Sequence, residues 1–167
     1  MRSKLRRWLK DLVVLLLLAM ALMWGMDQLR KPELPENVSG IVLQTLDGET
    51  HSLAELSQKK PLLLYVWATW CGICRYTTPA VEQLSQEGQN VLSVALRSGD
   101  DSQLAQWMTK KHLTLPVVND PRGALSARWQ VSVTPTLVVI SQGQVVNVTT
   151  GWTSYWGMRA RLWWSGL

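Results

Sequence analysis

Two cysteines carry the chemistry this sequence can offer. They stand in Trp70-Cys71-Gly72-Ile73-Cys74 and are the only thiols in the chain. The run before them, Leu62-Leu63-Leu64-Tyr65-Val66-Trp67-Ala68, is apolar and bounded by Pro61, which predicts a buried strand. The run after them carries apolar residues at Ile73, Ala80, Val81 and Leu84, which suits a helix packed on a sheet. Cys71 then lies where a strand ends and a helix begins. Unpartnered backbone N–H groups and the positive end of the helix dipole meet there, and both favour a thiolate. A thiolate with a second thiol one turn behind it is a site for thiol–disulfide exchange, with Cys71 and Cys74 as the redox-active pair. Two other readings stay open: a pair of buried structural cysteines, and a Cu(I) site on the two soft thiolates, which would make the chain a binding module. His51 and His112 stand alone, without ligand spacing, and read as solvated surface residues, so no metal site is assigned.

The elements that must position the pair occupy most of the 167 residues, enough for one ordinary domain and a short extra segment. Residues 1–31 hold seven Lys/Arg (Arg2, Lys4, Arg6, Arg7, Lys10, Arg30, Lys31) against Asp11 and Asp27. The remainder is balanced, with ten basic and ten acidic residues, so the formal charge of +5 comes from the N-terminus and marks no nucleic-acid-binding face. Leu12 to Met26 is fifteen residues without a charge. Five basic residues before Leu12 predict a cytoplasmic stub and an N-terminal transmembrane anchor over 1–31, with everything after it exported. The run is short for a span, which needs about 20 residues, but Trp8 and Leu9 extend it while Lys10 snorkels. A cleaved signal peptide, with Ala19-Met20-Ala21 at the cleavage site, is the alternative and also exports the domain. Arg6-Arg7 gives only a faint twin-arginine signal.

Residues 32–39, with Pro32 and Pro35, read as a linker, and residues 40–167 as one domain. Asp47-Gly48 predicts a hairpin between residues 41–45 and 50–52. Ser52-Leu53-Ala54-Glu55 has capping-box spacing and opens a short helix. After the core strand and the cysteine helix, which Gly88 stops and Pro79 interrupts, Val91 to Leu96 predicts a second core strand. Ser98-Gly99-Asp100 turns the chain into a helix that Lys110, Lys111 and His112 close. A short run over Leu115 to Val118 and a helix over about Pro121 to Trp129 follow. Thr134-Pro135 precedes the apolar Leu137-Val138-Val139-Ile140. Gln142-Gly143 turns into a partner strand over Gln144 to Thr150, and a tryptophan-rich helix from about Ser154 finishes the chain. Alternating strands and helices with a closing hairpin predict an α/β fold, a central mixed sheet flanked by helices.

Trp67-Ala68-Thr69-Trp70-Cys71-Gly72-Ile73-Cys74-Arg75 closely resembles the active-site segment of the thioredoxin superfamily. Pro79 sits five residues after the second cysteine, where thioredoxin helices carry a proline, and Thr134-Pro135 looks like the cis-proline loop. The front hairpin, the leading anchor and the inserted helix resemble the membrane-tethered TlpA-like branch, and within it exported proteins of copper-sensitivity suppression. The resemblance covers about residues 38–164. It implies a thioredoxin-like fold with an N-terminal hairpin extension and a disulfide oxidoreductase in which Cys71 attacks and Cys74 resolves. Trp70, Thr134 and Pro135 would border the substrate, with Gly72 and Ile73 as neighbours of the pair. It implies an inner-membrane, single-pass protein with its N-terminus cytoplasmic and its thioredoxin-like domain periplasmic. Its partners would be a transmembrane electron-donor protein and a periplasmic cysteine-containing substrate. Copper tolerance and cytochrome c maturation are the two settings implied. No cofactor is implied, because the dithiol itself carries the two electrons.

Two positions depart from the family pattern. Thioredoxins place a buried Asp where this chain has Tyr65, and cytochrome-maturation relatives often place a Glu where it has Thr77. Neither offers a carboxylate to accept the Cys74 proton. Trp107, Trp129, Trp163 and Trp164 read as packing residues.

Overall fold

A computed structural model describes Trp8, residues 10–18 and 21–22, Pro35 and residues 37–166. The chain divides into two units, Met1–Lys31 and Pro32–Leu167. In the first, residues 10–18 and 21–22 are helical and exposed. Among the described residues no helix is long and apolar enough to cross a membrane. Leu9, Ala19, Met20, residues 23–31 and Arg6-Arg7 lie outside the described residues, and so do residues 32–34 and Glu36 of the expected linker. The end of that linker belongs to the domain instead: Asn37 bridges to Gln144, and Val38 is buried with its N–H donating to the Gly143 carbonyl at 3.0 Å.

The second unit runs β1 (Val42–Gln44), β2 (Thr50–Ser52), α1 (Leu53–Lys59), β3 (Leu62–Trp67), α2 (Cys74–Gln86), β4 (Val91–Leu96), α3 (Asp101–Lys110), β5 (Val117–Asp120), α4 (Ala124–Arg128), β6 (Thr136–Ser141), β7 (Gln144–Thr150) and α5 (Tyr155–Trp164). β1 and β2 form the expected antiparallel hairpin, with Gly48 at φ 88° in its turn, a conformation that favours glycine. The other strands form one mixed sheet in the order β5-β4-β3-β6-β7. β3 runs parallel to β4 and antiparallel to β6.

β3 organises the molecule because both of its faces are buried. Successive side chains of a strand point to opposite faces. Leu63, Tyr65 and Trp67 therefore pack with Val81 and Leu84 of α2, Leu104 of α3, and Met158 and Leu162 of α5. Leu62, Leu64 and Val66 pack on the opposite side with Leu53 of α1 and with Trp129. Each fully buried Leu or Val side chain contributes about 1.5–3 kcal/mol, so the two-sided strand fixes where its C-terminal end can lie.

The sequence expectations shift at several boundaries. The helix expected over about Pro121 to Trp129 is a single turn, Ala124–Arg128, because Asp120 accepts hydrogen bonds from the backbone N–H groups of Leu125 and Ser126. The apolar run Leu115 to Val118 supplies a strand displaced to Val117–Asp120, where its register with β4 begins. Trp129 is a core residue and Trp107 packs on Trp67, as expected, but Trp163 and Trp164 are exposed. The period of α5 turns Met158 and Leu162 to the core and leaves those two outside.

Glu82 clamps the cysteine helix to the sheet. Its buried carboxylate accepts hydrogen bonds from the Thr114 and Leu115 backbone N–H groups, both at 3.0 Å, from the Thr114 hydroxyl, and from Gln86 Nε2 at 2.9 Å. Burial pushes this carboxyl up, but those four donors together outweigh it and hold it below its ordinary value. A carboxyl depressed in the folded state adds stability above its unfolded value, and that stability is lost as pH falls through the folded one. Glu82→Gln should therefore cost about 1–2 kcal/mol at neutral pH, read from urea midpoints. The gap between variant and wild type should close as pH falls below about 4. A gap that stays constant down to acid would show that the charge is not what the four donors hold.

Candidate active site

β3 ends at Trp67 and α2 begins at Cys74, so the sequence reading is corrected by three residues. Cys71 sits in the turn ahead of the helix, and Cys74 is the first helical residue. The turn is built from backbone: the Cys71 N–H donates to the Ala68 carbonyl at 3.2 Å, and the Tyr76 N–H to the Ile73 carbonyl at 3.0 Å. Ile73 occupies the N-cap with no side chain to cap the helix. The first N–H groups of a helix have no partner within it. Here the Cys74 N–H points at Cys71 Sγ, 3.1 Å away. The two cysteines form a disulfide with Cα atoms 5.3 Å apart. When the pair is reduced, a Cys71 thiolate inherits that N–H and the end of the helix dipole.

Cys71 is less open than the sequence suggested. It is 7% exposed, and Cys74 is 2% exposed. Both belong to the core cluster on the α2 side of the sheet. The rim around Cys71 is exposed instead: Gly72, Ile73 and Tyr76 lie open, and Trp70 is 61% exposed. Trp70 is nevertheless fixed, since its indole N–H donates to the Arg97 carbonyl at 3.1 Å. The Thr69 N–H donates to Ser98 Oγ at 3.0 Å, so the loop after β4 braces the turn at two points. Arg97 adopts φ 45°, the left-handed region, where that loop reverses. Sequence reasoning read Ser98-Gly99-Asp100 only as the entry to α3. Its role as a brace depends on β4 lying beside β3, which no local signal carries.

Thr134 and Pro135 come to the same place. The Thr134–Pro135 peptide is cis, and the Thr134 carbonyl oxygen lies 3.5 Å from Cys71 Sγ. β6 pairs directly with β3, which brings the residues preceding Thr136 to the end of the strand that carries the cysteines. Cys71 and the Thr134–Pro135 loop thus meet, while Trp70, next to Cys71 in the chain, is held by Arg97.

The two departures from the family pattern face inward. Tyr65 is buried, and its hydroxyl lies 2.9 Å from Thr78 Oγ1. Burial pushes the Tyr65 hydroxyl up, and the bond to Thr78 offsets this only in part, so the phenol stays protonated and is no base near neutral pH. Thr77 is buried with its Oγ1 unpartnered, and Trp67 Nε1 is likewise buried without a hydrogen-bond partner. A cleft of about 250 Å³ opens beside the pair, lined among others by Trp67, Cys71, Cys74, Thr78, Trp107 and Lys111. The otherwise buried Cys74 thus borders an open cleft. Trp107 of α3 and Lys111, which caps its C-terminal end, were not anticipated at the site. Among the described residues no group of three or more His, Cys, Asp and Glu side chains is placed to hold a metal ion. His51 lies 3.8 Å from Glu49 in the hairpin, and His112 is exposed after α3.

Comparison with known proteins agrees with this geometry. The AhpC/TSA family model matches residues 36–149. The chain is 46% identical over 159 residues to a thioredoxin-like protein of Haemophilus influenzae, covering 95% of each. It is 34% identical over 109 residues to the thiol:disulfide interchange protein DsbE of Escherichia coli, covering 58% of each. Among solved structures, the pneumococcal exposed lipoprotein thioredoxin Etrx1 of Streptococcus pneumoniae is similar with a TM-score of 0.62 and 27% identity, over 73% of this chain and 96% of that one. With a C-x-x-C disulfide at the mouth of α2 and a cis-proline loop beside it, the chain belongs to the AhpC/TSA family of thioredoxin-like proteins and is a thiol–disulfide oxidoreductase.

Proposed function

We propose that this protein is a membrane-anchored, extracytoplasmic reductant of protein disulfides. The observation that carries the reading is the asymmetry of the pair: the Cys74 N–H lies 3.1 Å from Cys71 Sγ, while Cys74 itself is the more deeply buried sulfur. In the reduced protein the Cys71 thiolate attacks one sulfur of a partner's disulfide. A Cys71–partner bond forms, and the partner's other sulfur leaves as a thiolate. Cys74, deprotonated to water in the adjoining cleft, then attacks Cys71 Sγ and releases the partner's second sulfur. Two electrons pass to the partner, and the chain is left with the Cys71–Cys74 disulfide. The partner's extended chain lies along the Thr134–Pro135 loop, where Pro135 has no N–H to donate and Thr134 offers its backbone groups. Trp70 forms the edge of that surface.

The reductant direction follows from compartment chemistry. An oxidising space would leave the pair closed unless a transmembrane electron-donor protein reopened it. Export is supported by the basic stub and apolar run of residues 1–31 and by the likeness to a lipoprotein described as exposed. The anchor, an inner-membrane placement and a periplasmic cysteine-containing substrate complete the reading. The resemblance to the suppressor for copper sensitivity D branch points to a substrate of copper stress. An apocytochrome c is the alternative.

The cysteine roles are tested by trapping. Cys71→Ser should abolish reduction of a protein disulfide and form no mixed disulfide. Cys74→Ser should keep the attack and lose the escape, so that partners accumulate covalently on Cys71 and are seen on non-reducing gels. If Cys71→Ser is the variant that traps partners, the roles are reversed. If reduced wild type reduces no protein disulfide but holds one Cu(I) tightly, the chain is a binding module.

A further inference from the structure

The last helix presents a face that neither the fold nor the disulfide site uses. α5 is well fixed: Ser154 caps it through the Gly157 N–H at 3.1 Å, and Met158 and Leu162 lock its inner side into the core. At its outer edge Glu87 accepts from the Tyr155 hydroxyl at 2.6 Å and from Arg159 Nη1 at 2.9 Å, tying it to the end of α2. On this rigid frame Trp156, Trp163 and Trp164 are 73%, 66% and 75% exposed. At 3.6 residues per turn, positions 156, 160, 163 and 164 fall within about 100° of arc, opposite Met158 and Leu162. Each indole carries about 150–250 Å² of surface, so the stripe exposes on the order of 400 Å². That matches the size of apolar patches that serve interactions. Trp152, also exposed, precedes the helix.

We propose that this stripe rests on the headgroup layer of the membrane that holds the chain. The residue type selects the occupant. Tryptophan has a broad apolar body and one N–H donor, and it collects at the depth where acyl chains meet headgroups. Charge agrees. Residues 151–166 contain Arg159 and Arg161 and no Asp or Glu, so no carboxylate on the helix meets lipid phosphates. Arg159 is neutralised by Glu87. Arg161 gives Nη1 to the Gly157 carbonyl at 2.8 Å and has no ion pair among the described residues, which leaves its charge for the headgroups. The inference rests on the reading of residues 1–31 as an anchor. Val38 is buried in the domain and its N–H donates to the Gly143 carbonyl at 3.0 Å, so the tether is residues 32–36 and reaches at most about 18 Å, which makes contact with the bilayer intramolecular and lets a weak surface affinity suffice. Contact along α5 restricts how the domain turns above the membrane.

The test uses the full chain in vesicles of roughly three parts phosphatidylethanolamine to one part phosphatidylglycerol. The emission of wild type minus that of the Trp156→Ser/Trp163→Ser/Trp164→Ser variant isolates the three indoles. A nitroxide carried on lipid headgroups should quench that component by about half, and aqueous iodide should quench it much less than it does in the detergent-solubilised chain. The variant should reduce a soluble protein disulfide at the wild-type rate. Iodide quenching unchanged on reconstitution overturns the proposal. Shielding from iodide without lipid quenching also overturns it, and assigns the stripe to a second copy or a protein partner. An alkaline carbonate wash separates the two readings. A chain stripped by it lacks the anchor, whereas a chain that stays bound with the three indoles open to iodide keeps the anchor and loses this proposal.

Discussion

The Cys74 N–H directed at Cys71 Sγ is the contact on which the rest of the structure depends. It exists because a six-residue turn, residues 68–73, separates the end of one buried strand from the first residue of a helix, leaving a helix N–H with no partner but sulfur. Such a contact tolerates little displacement, since a charge-assisted hydrogen bond weakens steeply with distance and angle. The surrounding architecture removes that freedom. β3 is pinned by burial on both faces, α2 by Val81, Leu84 and the Glu82 clamp, and the turn by its hydrogen bond to Ser98 and the indole bond to Arg97.

The disulfide thereby meets its surroundings on two sides of different character. One is the rim of Trp70 and the Thr134–Pro135 loop, where an extended chain can lie against backbone groups. The other is the cleft between α2 and the inserted helix α3, with Trp67, Trp107 and Lys111 in its walls. The second borders Cys74, and the two positions that hold carboxylates in related proteins hold a protonated phenol and an aliphatic hydroxyl here. Neither position therefore offers a charged base to Cys74.

Local chemistry made much of this legible. Asp47-Gly48 marked the hairpin, the apolar run after Pro61 marked β3, Gln142-Gly143 marked the β6–β7 turn, and the cysteine spacing with Thr134-Pro135 marked the site. What was hidden depends on long-range pairing. Asp120 reaching the N–H groups of Leu125 and Ser126, Glu82 reaching Thr114, and Arg97 holding Trp70 each require the sheet order to be known. The exposure of Trp163 and Trp164 was missed for a different reason. Hydrophobic type was read as packing, although the period of α5 already assigns Met158 and Leu162 to the core and these two to the other side.

The central claim is that the pair is chemically unequal, with Cys71 the nucleophile and Cys74 the shielded partner. The most direct measurement is alkylation of the reduced, folded chain at mildly acidic pH, with the label on each cysteine followed by mass spectrometry. Thiolate fraction and access both favour Cys71, so its peptide should be labelled well before that of Cys74. Labelling of Cys74 first, or of both at the same rate, would contradict the account.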